Sequence, residues 1–220
     1  MTPETVLGVD IGTSATKAVL VTLDGSVLAR ARREHGLDLP RPGWAEHNAE
    51  TVWWQEFLSV CQELVPHAHG GLRAVGVSGI GPCVVPCDAN LHPLRPAILY
   101  GVDTRAAGEI DELEQLLGAD RILARGGSNL SAQALGPKLL WLRRHEPELW
   151  ERTAGWYMAS SFIAARLTGA YVLDHHSASQ CDPFYDLERG EWAEDWVRRI
   201  LGPLPMPELL WPTDQAGVVT

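Results

Sequence analysis

Short apolar runs open the chain, and longer helical spacings take over further along. Residues 5–11 and 16–23 are rich in Val, Leu and Ile and predict two strands joined by a small-residue cluster. A Leu23-Asp24-Gly25 turn precedes SVLARARRE, which predicts a third strand, so three consecutive antiparallel strands begin the domain. The polar connector HGLDLPRPGWAEHN follows, where Pro40, Pro42 and Gly43 argue against regular structure. From Asn48, a predicted cap, Trp53, Phe57, Val60 and Leu64 recur at spacings of four, three and four, one face of an amphipathic helix that Pro66 ends.

LRAVGVSGI, residues 72–80, reads as a continuously apolar strand from the middle of a sheet. VVPCD is expected to be a short partner to it, with ANLHP as its turn. Strand, helix and strand after a meander imply an α/β domain with a mixed sheet. Beyond residue 100 helices dominate. Thr104 is the expected cap of a helix carrying Ile110, Leu113 and Leu117, and Pro137 suits the first turn of PKLLWLRRH. EPELWERT reads as a short helix and GWYMA as a strand. Ser160 is expected to open the helix that Gly169 closes. RGEWAEDWVRRILG is the last amphipathic helix, displaying Trp192, Trp196, Ile200 and Leu201. His175 and His176 read as neighbours in a strand, pointing to opposite faces.

Composition narrows the class. The 220 residues can bury a sizeable core, and 45% hydrophobic content without any apolar run approaching ~18 residues argues against a membrane span. The N-terminus has no basic region followed by an apolar one, so a cytoplasmic location is expected. Cys61, Cys83, Cys87 and Cys181 are sparse and read as buried, reduced thiols. A net charge of −10, with Lys and Arg scattered singly and in pairs, opposes nucleic acid as a partner. Cys83 and Cys87 with His67, His69, His175 and His176 lack zinc-site spacing, and no G-x-S-x-G elbow occurs. The tryptophans fall at helical spacings and serve as core or interface anchors; a homodimer contact through them stays open.

The chemistry concentrates in VLGVDIGTSATKAVLVTLDG. A turn built from Gly12, Thr13 and Ser14 between two strands aims backbone N–H groups and hydroxyls into one concavity, which suits phosphate oxygens. Asp10 at the strand end can hold magnesium through water, and Lys17 adds a cation nearby. Asp, Gly, Thr and Ser are also simply good turn formers. D-x-G-T-S-x-x-K between apolar strands resembles the first phosphate motif shared by sugar kinases, actin and heat-shock chaperone ATPases.

RPGWAEHNAETVWW, VGVSGIG, LRPAILYGVDTRA and GPKLLWLRRHEPELW, in that order, narrow the resemblance to the FGGY carbohydrate kinases, particularly the xylulokinase-like branch. It implies an actin-like ATPase or ribonuclease H-like α/β fold, a mixed β-sheet flanked by helices with a helical insertion, spanning residues 1–220 as a single sugar-side domain. It also implies transfer of the γ-phosphoryl group of ATP to a sugar or polyol hydroxyl with Mg2+. Asp10 would orient the metal and its water. Gly12, Thr13, Ser14 and Lys17 would serve the nucleotide phosphates, and Ile80, Gly81, Tyr100, Asp103 and Arg105 would line or support the sugar pocket.

Two departures qualify the resemblance. The loop facing the sugar continues as Ile80, Gly81, Pro82 and Cys83, where xylulokinases place glutamine, methionine, histidine and glycine, so xylulose loses its side-chain partners. YGVDTRA is one residue longer between aromatic and aspartate than the xylulokinase form. The family's catalytic aspartate and the domain carrying most of the adenosine site lie beyond DQAGVVT. A C-terminal kinase domain is therefore the expected partner, and the chain alone is expected to be inactive. Two other readings remain: a non-catalytic actin-like module binding a sugar or partner, and a kinase for a different polyol or sugar acid.

Overall fold

The computed structural model describes residues 3–220. Strands β1 (Thr5–Ile11), β2 (Ala15–Thr22) and β3 (Val27–Glu34) form the expected meander, and β5 (Leu72–Gly79) joins β1 in parallel, giving the order β3-β2-β1-β5. Alternation sets the faces. Leu7, Val9, Ile11, Ala18 and Leu20 point into the core, while Val6, Gly8, Asp10, Lys17 and Val19 lie on the opposite side.

The crossover between β2–β3 and β5 supplies the core helix. Asn48 caps it as expected, its Oδ1 accepting from Glu50 and Thr51 N–H at 3.0 and 3.1 Å. The first turns, Ala49–Gln55, are π-helical, and α1 (Glu56–Leu64) continues them. Trp53, Phe57, Val60 and Leu64 are all buried. Pro66 lies within a short 3-10 turn, Val65–Ala68, rather than directly ending the helix. Between these elements the connector contributes only β4 (Glu46–His47), paired with β7 (Ala97–Ile98).

Several local expectations change in three dimensions. Val85–Cys87 (β6) pairs with β8 (Gly155–Tyr157), not with β5. β5, expected in the middle of a sheet, is instead its edge strand: among the described residues it pairs with β1 alone and none of its residues is fully buried, while α6 (Ala159–Thr168) packs on its core face, where a Cβ on Gly79 would meet Ala159 Cβ at 2.8 Å. Thr104 does not cap α2 (Ala107–Leu117); its hydroxyl turns to the Gly43 carbonyl. Helix α6 starts at Ala159, with Ser161 Oγ accepting from Met158 N–H at 2.9 Å, and Gly169 ends it at φ 75°.

The remaining insertion is helical: α3 (Ala119–Gly126), α4 (Gly136–His145) and α5 (Pro147–Arg152). After β9 (Val172–Asp174), His175 and His176 fall in a helical turn, α7 (His175–Ala178), instead of a strand, because Asp174 accepts from Ser177 N–H and caps it. His175 is spent on Tyr185, 2.8 Å away, and on the Trp211 ring. Trp192 belongs to β11 (Glu191–Trp192), paired with β10 (Tyr185–Asp186), and precedes α8 (Glu194–Leu201) rather than lying in it. A last strand, β12 (Glu208–Leu210), runs parallel to β9. No helix among the described residues is long and apolar enough to cross a membrane.

Candidate functional site

The site begins where β1 ends. Asp10 projects from the exposed sheet face, and parallel pairing sets Ser78 of β5 beside it, with Ser78 Oγ donating to Asp10 Oδ1 at 2.8 Å. On the other side Lys17 stands opposite Asp10 in the antiparallel register. The turn is closed by Gly12 N–H to the Ala15 carbonyl at 3.0 Å; a Cβ on Gly12 would approach that same oxygen to 3.1 Å.

Two histidines brace this turn from behind. His35 Nε2 reaches the Gly12 carbonyl at 3.1 Å and its Nδ1 reaches Glu56 at 2.9 Å, while His35 N–H donates to the Ser14 carbonyl. His47 packs edge-on against His35 at 4.9 Å and accepts from Trp53 Nε1. Burial, then the neighbouring His35, pushes the His47 imidazole down to about 4. The unfolded chain takes up a proton near the ordinary value of 6.5, the folded one only near 4. Stability from this residue is therefore complete above pH 6.5 and is lost as pH falls toward 4. Urea midpoints measured across that interval should fall with pH, and His47→Gln should flatten the slope.

Asp10, Gly12, Thr13, Ile80, Gly81 and Tyr100, with Gly79, line a single recess of about 240 Å³. Six of the sequence-derived candidates thus converge. Ser14 and Lys17 flank the recess without lining it; Lys17 is exposed on β2.

Asp103 and Arg105, expected to line or support the pocket, are buried behind its wall and do not line it. Their side chains have no exposed surface. Arg105 pairs with Asp103 at 2.7 Å and with Glu46 at 2.8 Å, and its guanidinium lies over the Trp44 ring, 3.8 Å from the centroid. Asp103 Oδ2 accepts from Ala45 N–H at 2.7 Å, and Arg95 joins through Glu46 and Glu146. This cluster ties the proline-rich connector to the loop carrying Tyr100, so its influence on the recess passes through Tyr100.

Cys83 also turns inward, its Sγ donating to the Ile80 carbonyl at 3.0 Å, and burial pushes its thiol up to about 12. It offers nothing to a ligand. Among the described residues no three His, Cys, Asp or Glu side chains gather to hold a metal ion. Asp10 fits magnesium in a different way, as one exposed carboxylate beside two hydroxyl residues, suited to a cation that retains its waters.

A second recess, about 270 Å³, adjoins the first through their shared residues Gly81 and Tyr100. Its polar side chains come from the segments around Ser128–Gln133 and Ser179–Asp182. Sequence reasoning missed these residues, as it missed Ser78 and His35. Of these, only Ser78 lies in a stretch that the sequence had singled out, VGVSGIG.

A four-stranded mixed sheet entered by an antiparallel meander, a parallel crossover strand and helices gathered on one face define an actin-like, ribonuclease H-like α/β domain with a helical insertion. Residues 5–220 match the N-terminal domain of the FGGY family of carbohydrate kinases, and the chain belongs to that family. Its fold superposes on the xylulose kinase of Rhodospirillum rubrum with a TM-score of 0.90 at 33% identity, covering 99% of this chain and 45% of that one. It is 31% identical to a glycerol kinase of Nocardia farcinica, covering 98% of this chain and 44% of the relative. Identity to a xylulose kinase of Staphylococcus xylosus is 27%, over the same shares of the two chains. The chain thus spans less than half the length of the curated relatives it matches.

Proposed function

We propose that this chain is the sugar-side domain of an ATP-dependent carbohydrate kinase, which transfers the γ-phosphoryl group to a hydroxyl of a sugar or polyol. The observation that carries the reading is the convergence of the Asp10 hairpin and the Ile80–Tyr100 wall on one recess. Phosphate-type donors and a sugar-sized hollow are useful together only where a phosphoryl group and an acceptor meet.

In this reading Thr13, Ser14 and the turn's N–H groups cradle phosphate oxygens, with Lys17 as a nearby positive charge. Asp10, held by Ser78, orients the waters of magnesium. When bound, that ion supplies charge neutralisation of the transferring phosphoryl group. Tyr100 packs on a carbon face of the acceptor and holds it for in-line attack. A general base from the C-terminal kinase domain takes the hydroxyl proton. The relatives' printed names include both xylulose kinases and glycerol kinases. The inward-facing Cys83 and the apolar Ile80 and Pro82 do not favour the ketose.

The chain alone is expected to release no ADP above background with any sugar in a coupled assay, because the recess contains no carboxylate placed as base other than the metal-orienting Asp10 on its wall. Sugar-dependent ADP release by the purified 220-residue chain would overturn the division of labour.

A further inference from the structure

The turn that carries Gly12, Thr13 and Ser14 is shaped from its hidden side. The peptide between Gly12 and Thr13 is trans, so its carbonyl and its N–H point in opposite directions. His35 Nε2 meets the Gly12 carbonyl at 3.1 Å. A carbonyl can only accept, so Nε2 carries the hydrogen. With its oxygen drawn back to His35, this peptide turns the Thr13 N–H the other way, to the side on which Gly12 and Thr13 line the recess.

The next two carbonyls are met from behind as well. His35 N–H donates to the Ser14 carbonyl at 3.1 Å. Behind Thr13 stands His47, 1% exposed, whose Nδ1 accepts from Trp53 Nε1 and whose Nε2 has no hydrogen-bond partner. The Thr13 carbonyl lies near enough to favour protonation of that ring without completing a hydrogen bond. On the open side the donors are free. Gly12 N–H closes the turn on the Ala15 carbonyl, whereas among the described residues neither the Thr13 nor the Ser14 N–H donates to another backbone group.

His35 is fixed in place by its own neighbours. It follows directly on β3, whose Arg33 reaches α1 through Ser59 Oγ at 2.9 Å and Glu63 Oε2 at 2.8 Å. Its second ring nitrogen is held by Glu56, 2.9 Å away in the first turn of α1, and its ring is met edge-on by His47. Only 5% of the side chain is exposed, and it lines neither recess. Both ring nitrogens are thus committed to the protein, and none is left for a ligand.

We infer that His35, anchored by Glu56, is a positioning residue that aims the Thr13 N–H, with the Ser14 N–H beside it, at the phosphates of a nucleotide. The inference rests on the kinase reading for the nucleotide. Successive N–H groups fixed in one direction make an anion-binding concavity, and fixing them before the ligand arrives removes an ordering cost from binding. Without His35 the Gly12–Thr13 peptide is free to rotate, and the donors lose their common aim. The acceptor side of the recess, at Ile80, Gly81 and Tyr100, does not depend on that peptide.

The test is calorimetric titration of the magnesium complex of AMP-PNP, a non-hydrolysable ATP analogue, into the full-length protein of which this chain forms the N-terminal portion, at pH 7.5. KM values are measured alongside for ATP and for glycerol or D-xylulose, whichever is turned over; where neither is, the titration alone decides. His35→Phe keeps a ring edge against His47 but removes both nitrogen contacts. It should weaken the analogue about 10-fold and raise the KM for ATP to match, the scale of one hydrogen bond to a charged group, while the acceptor KM stays at the parent value. His35→Gln, whose amide can donate to the Gly12 carbonyl in place of Nε2, should recover most of the loss. A residue that only filled the core would move both KM values together and would not be restored by an amide. Should His35→Phe fail to fold by circular dichroism, Glu56→Ala, which frees the second ring nitrogen, takes its place with an expected loss of about 3-fold in nucleotide affinity. Parent-like nucleotide binding in the variant, equal losses for nucleotide and acceptor, or no recovery in His35→Gln would overturn the inference. A parent protein that binds nucleotide while His35→Phe matches it sinks this inference alone; a parent that binds no nucleotide sinks the kinase reading and this inference with it.

Discussion

Asp10→Ala in the full-length protein is expected, on the proposed kinase reading, to lower kcat about 10²–10³-fold, the scale of losing one group aimed at developing charge in a closed site. The strand end presents the Asp10 carboxylate to the recess, and Ser78 Oγ fixes one oxygen at 2.8 Å. Phosphoryl transfer depends on position and charge neutralisation more than on covalent chemistry, so this carboxylate is worth far more in the transition state than in sugar binding. The loss should therefore appear in kcat with sugar KM little changed. Folding should be unaffected, since Asp10 is exposed and buries no charge. Asp10→Asn, which retains an acceptor for Ser78 but removes the charge, should be nearly as impaired. Unchanged turnover in Asp10→Ala would reduce the residue to a turn former.

Arg105→Leu is expected to destabilise the chain by about 3–5 kcal/mol, seen as a lowered urea midpoint with an unchanged slope. The side chain is fully buried, and removing it strands Asp103, itself fully buried, and leaves Glu46 to Arg95 alone. The two carboxylates would then repel each other in a poorly hydrated space. Arg105→Lys should rescue little, because Asp103 is gripped by both Nε and Nη2 while the flat guanidinium covers Trp44. A loss below about 1 kcal/mol, the range of surface ion pairs, would contradict the buried-support role.

Asp103 and Arg105 also show where sequence reading reaches its limit. Motif order placed them near the acceptor, and spacing could not separate a side chain that touches a ligand from one that braces the loop beside it. The meander and the buried face of α1 were legible because period-2 and period-3.6 patterns report burial directly, whereas the apolar run of β5 suggested a central strand and the structure makes it an edge. The hairpin residues Asp10, Gly12 and Thr13 were legible because turn chemistry is local.

Pairings between distant segments were not. β6 pairs with β8, about seventy residues later, and leaves the outer edge of β5 unpaired, an arrangement that no local pattern contains. The strand-like appearance of His175 and His176 yielded to a single capping carboxylate, Asp174. Gln133, Gln180 and Asp182 read as ordinary loop residues and acquire meaning only when the insertion folds their segments against Gly81 and Tyr100.

The most direct test of the central claim is transfer of radiolabel from [γ-32P]ATP by the full-length protein of which this chain forms the N-terminal portion, assayed over a panel of sugars and polyols with magnesium present. The account predicts a labelled, acid-stable phosphate ester with at least one neutral acceptor. Saturable sugar binding by the same full-length preparation, with no labelled product from any acceptor, would contradict it and leave a binding module in its place.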